Sequence, residues 1–600
     1  MKKSFSLLFF LILISLASFS QGNSEWQLDV AFPDWISNAN FSADNSLAFQ
    51  VFHGQGQIEV SVSEECKSFS IYINNNRLST KKLKSGGIYT VDISKFTRDG
   101  LNILQVSDIK PCDAKNAVRV CVPYPEVLEG NIKGSGLSAD SFSLINKIIS
   151  SDIKNGFTSA QLAVIKDGRL VYKNCWGNVT NETLYDLASV SKMFSAAYAI
   201  QFLVTQEKLS VDTKLADIFG DAFFEQTISV DFEGKEKIPL EQIKDWKKNL
   251  TVRDVLNHTA GFSAGYPYFN DNYDLEKNEF NAGENKNPLF SGNDGSQETR
   301  ERTLEQIFRT PLVYEPGSKL IYSDIDFMIL CFVAEKVSGE NLDVFLKKNF
   351  WEPLNLNRIT FNPLKNGFLE SECAPTDPTG NSYSGELSFT GCRTEEIRGE
   401  VHDGNAFHAM GGVSGHAGLF SNAEGLARLA SVMLTGGYGK HKFFSRNVID
   451  LFTSPQNIRD ADYGLGWWRG GETQNVRNFS SLCSSRAFGH NGFTGTLAFI
   501  EPEENLVIVY LTNKINTPMI SPESLGNQFE GNFYQSANLG FVPQIILLGL
   551  NKNLSKSQWK SLAGDMAESA KRRAEKEAKD NKLDVRWKSY ESLETVLKEF

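Results

Sequence analysis

Tyr185-Asp-Leu-Ala-Ser-Val-Ser-Lys-Met-Phe-Ser195 is the stretch whose reading decides the fold. Ser189 and Lys192 stand three residues apart at what reads as the first turn of a helix. Positions i and i+3 of a helix share one face, with Cβ atoms ~5–6 Å apart. An amine then comes within reach of a hydroxyl, as a serine nucleophile without a histidine partner requires. Met193, Ala196, Ala197, Ile200, Leu203 and Val204 keep helical period, so the segment is expected to be buried and Lys192 stripped of water. Spacing alone is weak, because Ser79/Lys82, Ser151/Lys154 and Ser557/Lys560 repeat it. An isolated pair of this kind is more often two ordinary polar residues at a helix start. Context has to carry the assignment.

The surrounding chain supplies that context. Upstream lie two apolar runs, Ser159–Ile165 and Arg169–Tyr172, joined by Asp167-Gly168, a strong hairpin signal. Downstream, residues 209–452 read as helices between Gly- and Pro-containing loops, with 263–300 a polar excursion over the surface. Thr251–Phe262 reads as a helix ending in a glycine turn, which makes His258 a cap rather than a catalyst. The apolar helix 327–337 follows Tyr322-Ser-Asp324. A second hairpin, Thr496–Ile500 and Leu506–Leu511, comes directly after Gly489-His-Asn-Gly-Phe-Thr-Gly495. An antiparallel sheet completed by strands from both ends of the domain, with helices packed on it, is the expected α+β architecture.

The flanking regions differ. Residues 25–122 alternate in short strands (68–73, 88–93, 101–106) with turn residues between them, the pattern of an all-β sandwich. Residues 123–137 carry Pro123, Pro125, Gly130, Gly134 and Gly136 and read as a linker. Residues 138–550 form the larger, mixed α+β domain. Residues 551–600 form a C-terminal extension in which Lys571–Asp580 is a mixed-charge helix, polar all round and expected to be solvated.

Composition excludes several classes. Of 600 residues, 41% are hydrophobic and 22% charged, and the net charge of −11 is spread without a basic patch outside the tail, so nucleic acid is excluded as a partner. Lys2-Lys3, the apolar run Leu7–Ile14 and the small residues to Ser20 mark residues 1–20 as a cleaved signal peptide, its core too short for a permanent span. The mature chain is expected in the periplasm or cell envelope, soluble or loosely membrane-associated. Eight cysteines are too few for a disulfide scaffold in a chain this long. Cys112/Cys121 and Cys373/Cys392 are close enough to bridge, while Cys175 and Cys331 read as buried thiols. No Cys/His cluster has metal-ligand spacing, so neither metal nor cofactor is expected.

Ser189-x-x-Lys192, Tyr322-x-Asp324 and His490-x-Gly492, in that order, resemble the serine penicillin-binding protein and class C β-lactamase superfamily. Leu256–Gly261, Gly411–Ser421 and Tyr463–Trp467 match its supporting stretches. Thr310–Asp326 and Gly399–Asp403 look like the penicillin-binding protein 4B family, D-alanyl-D-alanine carboxypeptidases. The resemblance covers roughly residues 138–550. It implies a β-lactamase/transpeptidase-like domain, with Ser189 as nucleophile and Lys192 and Tyr322 moving its proton. It further implies an oxyanion hole from the N–H groups of Ser189 and Phe493, and substrate contact from Asp324, His490 and Gly492. The substrate implied is a peptidoglycan stem peptide or a β-lactam. Asp324 stands where the family commonly has Asn; its charge is expected to raise the Lys192 pKa and weaken β-lactamase activity. His402 and His416, in Gly-rich company, read as loop-structuring, with Asp403 at most a substrate contact. The stretch Val91–Asn102 looks like a galactose-binding-type jelly roll, which implies either packing against the enzyme or a hold on cell-wall carbohydrate. The alternatives to the carboxypeptidase are a β-lactamase-like esterase or D-amino-acid amidase, and a cell-wall-binding protein with a vestigial hydrolase domain.

Overall fold

The computed structural model describes residues 26–32, 46–111, 115–230, 237–277, 279–280, 283, 286–380, 388–456, 462–471, 475–520, 528–550, 554–580 and 587–589. The expected signal peptide and Cys112 lie outside them. Among the described residues no helix is long and apolar enough to cross a membrane.

Alternation in the N-terminal region folds into two antiparallel four-stranded sheets. One is ordered Leu28–Phe32, Val118–Val122, Gln57–Val62, Ile88–Asp92; the other Ser46–Val51, Gly100–Lys110, Ser68–Ile73, Asn76–Arg77. Inward residues such as Val60, Ile71, Leu104 and Val120 are fully buried between them. Asn74 and Asn75 take φ of 49° and 66°, the left-handed pair that a tight hairpin turn needs and that asparagine tolerates. This sandwich leans on the first hairpin of the larger domain: Gln55 Nε2 donates to Asp167 O at 2.6 Å, and Phe52 packs over Gly168.

The larger domain is built on a seven-stranded sheet in the order Trp468–Arg469, Phe488–Gly492, Thr496–Glu501, Leu506–Thr512, Ser159–Lys166, Arg169–Gly177, Leu128–Glu129. Ser159–Lys166 pairs antiparallel with Leu506–Thr512, so the two ends of the domain meet in its centre. Every residue of both strands is buried, which accounts for their continuous apolar runs. One face carries Leu162, Val164, Phe499 and Tyr510 against helices Ala139–Lys154 and Phe541–Leu548. The other carries Ala163, Ala498, Val507 and Val509 against helix Ala423–Thr435 and the nucleophile segment.

Four expectations need correction. The expected solvated helix Lys571–Asp580 is the end of a longer helix, Lys556–Asp580; within the expected stretch Ala578 is buried, and ahead of it Trp559, Ala563, Ala567 and Ala570 are buried. Their spacing of three and four makes one stripe, and alanines hide such a stripe from a reading that looks for bulky residues. Trp559→Ala is expected to cost ~3–5 kcal/mol and release this helix, seen as new protease cleavage within 556–580 and an earlier denaturant midpoint. Residues 263–300 are anchored rather than laid over the surface, because Tyr266, Tyr268, Tyr273 and Leu289 are buried. Finally, no disulfide joins Cys373 to Cys392, and Cys121 is a thiol as well. Cys373 lies in an apolar cluster with Leu184, Val401 and Phe420, whereas the Cys392 thiol donates to Arg393 O. Cys331 is buried as expected, but Cys175 is only half-buried.

Candidate active site

Ser189 lies in a 3-10 turn, Ala188–Val190, that runs through the π-helical Met193–Ala197 into helix Tyr198–Thr205. The turn is forced into shape. Ala188 has φ of 45°, a left-handed conformation that costs a non-glycine residue ~1–3 kcal/mol and persists only where neighbours impose it. They do: Asp186 Oδ1 accepts from Ala188 N at 2.8 Å, while Thr494 Oγ1 and Thr496 Oγ1 donate to the carbonyls of Asp186 and Leu187. Gly492 lies against the same turn. A Cβ there would sit 2.4 Å from Leu187 O and 2.2 Å from Thr496 Oγ1. Gly492→Ala is therefore expected to push the strand from the Ser189 turn, cut acylation ~10²–10³-fold, the usual loss of one oxyanion donor, and lower stability by the ~1–3 kcal/mol that overpacking costs.

Lys192 is wholly buried, and its Nζ makes three bonds: to Ser189 Oγ at 2.9 Å, Asp324 Oδ1 at 2.7 Å and His416 O at 3.1 Å. It also lies 4.9 Å from the centre of the Tyr322 ring. Burial pushes its pKa down, but the Asp324 carboxylate and Tyr322 together outweigh burial, and the net displacement is upward. Tyr322 is likewise displaced upward by burial, against the pull of Lys192. At rest, then, both groups hold their protons at neutral pH. Asp324→Asn removes the charge that holds the ammonium form. The ascending limb of the pH profile of kcat/KM is expected to move to lower pH; an unmoved limb would mean Asp324 does not set it.

His490 is fully buried between the rings of Trp468, 4.4 Å away, and Tyr322, 5.9 Å away. Burial and the neighbouring Lys192 push its pKa down to about 3, so it is neutral. Its Nδ1 faces Asn491 O and must carry the proton, which leaves Nε2 an acceptor, buried and without a partner among the described residues. It offers no positive charge to a carboxylate. Phe493 is 36% exposed and stacks on the ring of His402, in the turn closed by Gly495 N–H to Gly492 O.

His416, read as loop-structuring, and Asp403, read as at most a substrate contact, come to the centre of the site. His416 Nε2 lies 2.8 Å from Asp403 Oδ1, its Nδ1 2.7 Å from Ser414 Oγ, and its carbonyl receives Lys192. Burial would raise the Asp403 pKa, but His416 and then Lys192 hold it low. The only signal in the chain was the resemblance of Gly399–Asp403 and Gly411–Ser421 to the family. Ligand atoms of Asp324, Asp403 and His416 lie within 4.8 Å of one another, room for a cation, but the Lys192 ammonium already serves Asp324 there. His402 instead bonds Asp377 at 3.0 Å, and His258 pairs with the buried Asp326 at 2.9 Å beneath Tyr322.

Residues 145–526 match the family model described as Beta-lactamase. The Escherichia coli (strain K12) protein named "Putative D-alanyl-D-alanine carboxypeptidase" is 35% identical over 445 residues, covering 72% of this chain and 95% of its own length. The Bacillus subtilis (strain 168) protein named "N-acetylmuramyl-L-alanine amidase" is 37% identical over 428 residues, covering 69% of this chain and 90% of its own. A solved penicillin-binding protein homolog from Caulobacter crescentus is 19% identical, with a TM-score of 0.46 over 69% of this chain and 99% of that one. With more than half its length in that match, the chain belongs to the beta-lactamase family of serine acyl-transfer hydrolases.

Proposed function

We propose that this protein is an exported serine hydrolase that acts through an acyl-enzyme at Ser189 and releases the terminal D-alanine of peptidoglycan stem peptides. The observation that carries this reading is the 2.9 Å contact between the buried Lys192 Nζ and Ser189 Oγ. Ser189 Oγ attacks the penultimate carbonyl carbon, and the C–O bond forms as the hydroxyl proton passes to Lys192 or Tyr322. The oxyanion is met by the N–H groups of Ser189 and Phe493 at the start of the helical segment. The tetrahedral species collapses, the C–N bond breaks, and the departing amine takes the proton through Tyr322. Water then cleaves the ester. Because Lys192 and Tyr322 are both protonated at rest, acylation is expected to accelerate as pH rises.

The names of the relatives support a cell-wall amide as substrate, and the leader at residues 1–20 supports export. The neutral His490 and the two carboxylates near Lys192 favour a second reading, hydrolysis of a small uncharged ester or amide. Purified mature protein incubated with labelled penicillin should carry the label on the peptide containing Ser189, and a D-Ala-D-Ala pentapeptide should yield D-alanine. No adduct and no D-alanine would end the carboxypeptidase reading; ester turnover alone would select the second.

A further inference from the structure

A second cavity adjoins the catalytic centre. About 530 Å³ in volume, it is walled by Arg477, Lys514, Arg573, Asn478, Asn538 and Trp468. Trp468 joins the two sites, since its ring also contacts His490 and lies 6.0 Å from that of Tyr322. Arg573 comes from helix Lys556–Asp580 and Asn538 from the segment before it, both beyond residue 526 where the family match ends. The C-terminal helix thus supplies a wall from outside the residues of the family match.

Three cations line this cleft against one carboxylate among the described lining, Asp462, whose charge acts on Arg469. Burial and the like charge of Arg477 both lower the Arg573 pKa, so two guanidiniums are held together at a cost an anion would remove. In the catalytic centre the positive charge is already committed. Its lysine is engaged by Asp324, Asp403 stands close by, and His490 is neutral.

We propose that this cleft binds the carboxylate- and hydroxyl-bearing part of the substrate whose amide meets Ser189. The proposal rests on the hydrolase reading and extends it: the guanidiniums take carboxylates, the asparagine amides take hydroxyls, and Trp468 gives an apolar sugar or peptide face a place to rest. Recognition by charge is moved out of the reaction centre, where another cation would compete with Lys192 for Asp324.

The test uses full-length Ser189→Ala protein in calorimetry, with two probes: an N-acetylmuramoyl pentapeptide with free carboxylates, and the same molecule with every carboxylate capped as carboxamide. The capped probe is expected to bind at least ~10-fold more weakly, and added salt to weaken only the uncapped one. Arg477→Gln/Arg573→Gln should erase that difference and Arg477→Lys/Arg573→Lys restore part of it; both arginines are exposed, so folding is not at stake. Equal affinity for the two probes, or undiminished affinity in the glutamine variant, overturns the proposal. Binding to Ser189→Ala needs no turnover, so a wild-type protein that releases no D-alanine yet keeps the difference would remove the hydrolase reading and leave the subsite standing.

Discussion

Ser189→Ala is expected to lower turnover at least ~10⁴-fold and to abolish covalent labelling, because among the described residues no second serine hydroxyl shares a hydrogen bond with Lys192. Ser191 and Ser195 are the near candidates, and both are committed. Ser191 is wholly buried and its Oγ accepts from Leu419 N at 3.1 Å; Ser195 Oγ donates to Ser191 O at 2.5 Å. Neither shares a bond with Lys192. Ser191→Ala should accordingly keep its label and lose some stability. Mass analysis after incubation with a β-lactam, beside single-turnover rates on an activated ester, measures both variants. Residual labelling of Ser189→Ala at another serine would show that the nucleophile had been misassigned.

Lys192→Met should cost ~10²–10⁴ in acylation rate, the usual range for a positioned proton acceptor, while preserving the packed volume of the helix. The pH dependence separates this role from a structural one. The pKa of Lys192 is raised in the folded protein. The wild-type rate is therefore expected to climb with pH as the neutral amine appears, and Lys192→Met to lose that limb while keeping its fold. Stability carries a matching signature. A raised lysine pKa contributes stability that is fully present below the unfolded value of about 10.4 and is lost as pH rises through the folded value. Thermal melts should show the wild type weakening in strong alkali along a limb that Lys192→Met lacks. A flat wild-type rate from neutral to alkaline pH would remove Lys192 as the group that takes the serine proton.

Much of this molecule was legible in one dimension, wherever the information is local. Asp167-Gly168 turns a hairpin because both residues adopt positive φ, 49° and 66°, and their identities say so without any tertiary partner. The runs Ser159–Ile165 and Leu506–Leu511 announced strands, and both lie within fully buried strands of the central sheet. Ser189 and Lys192 are close because three residues is nearly one helical turn, and the sign of the effect of Asp324 on Lys192 followed from charge alone.

What the sequence could not decide is who else stands at the site. His416 meets Lys192 across 224 residues and Asp403 across 13, contacts set by how loops pack rather than by any periodicity. Whether His490 is a cation depends on its burial between Trp468 and Tyr322, a property of the folded surroundings and not of the residue type. The C-terminal helix hid its buried face in alanines, which count for little in a hydrophobic pattern yet allow close approach. Sequence determined the spacing that brings Ser189 to Lys192 and the two hairpins at the ends of the domain, because both are local; tertiary structure alone decided the charge state of the pocket and the cationic cleft beside it, because burial and distance set both.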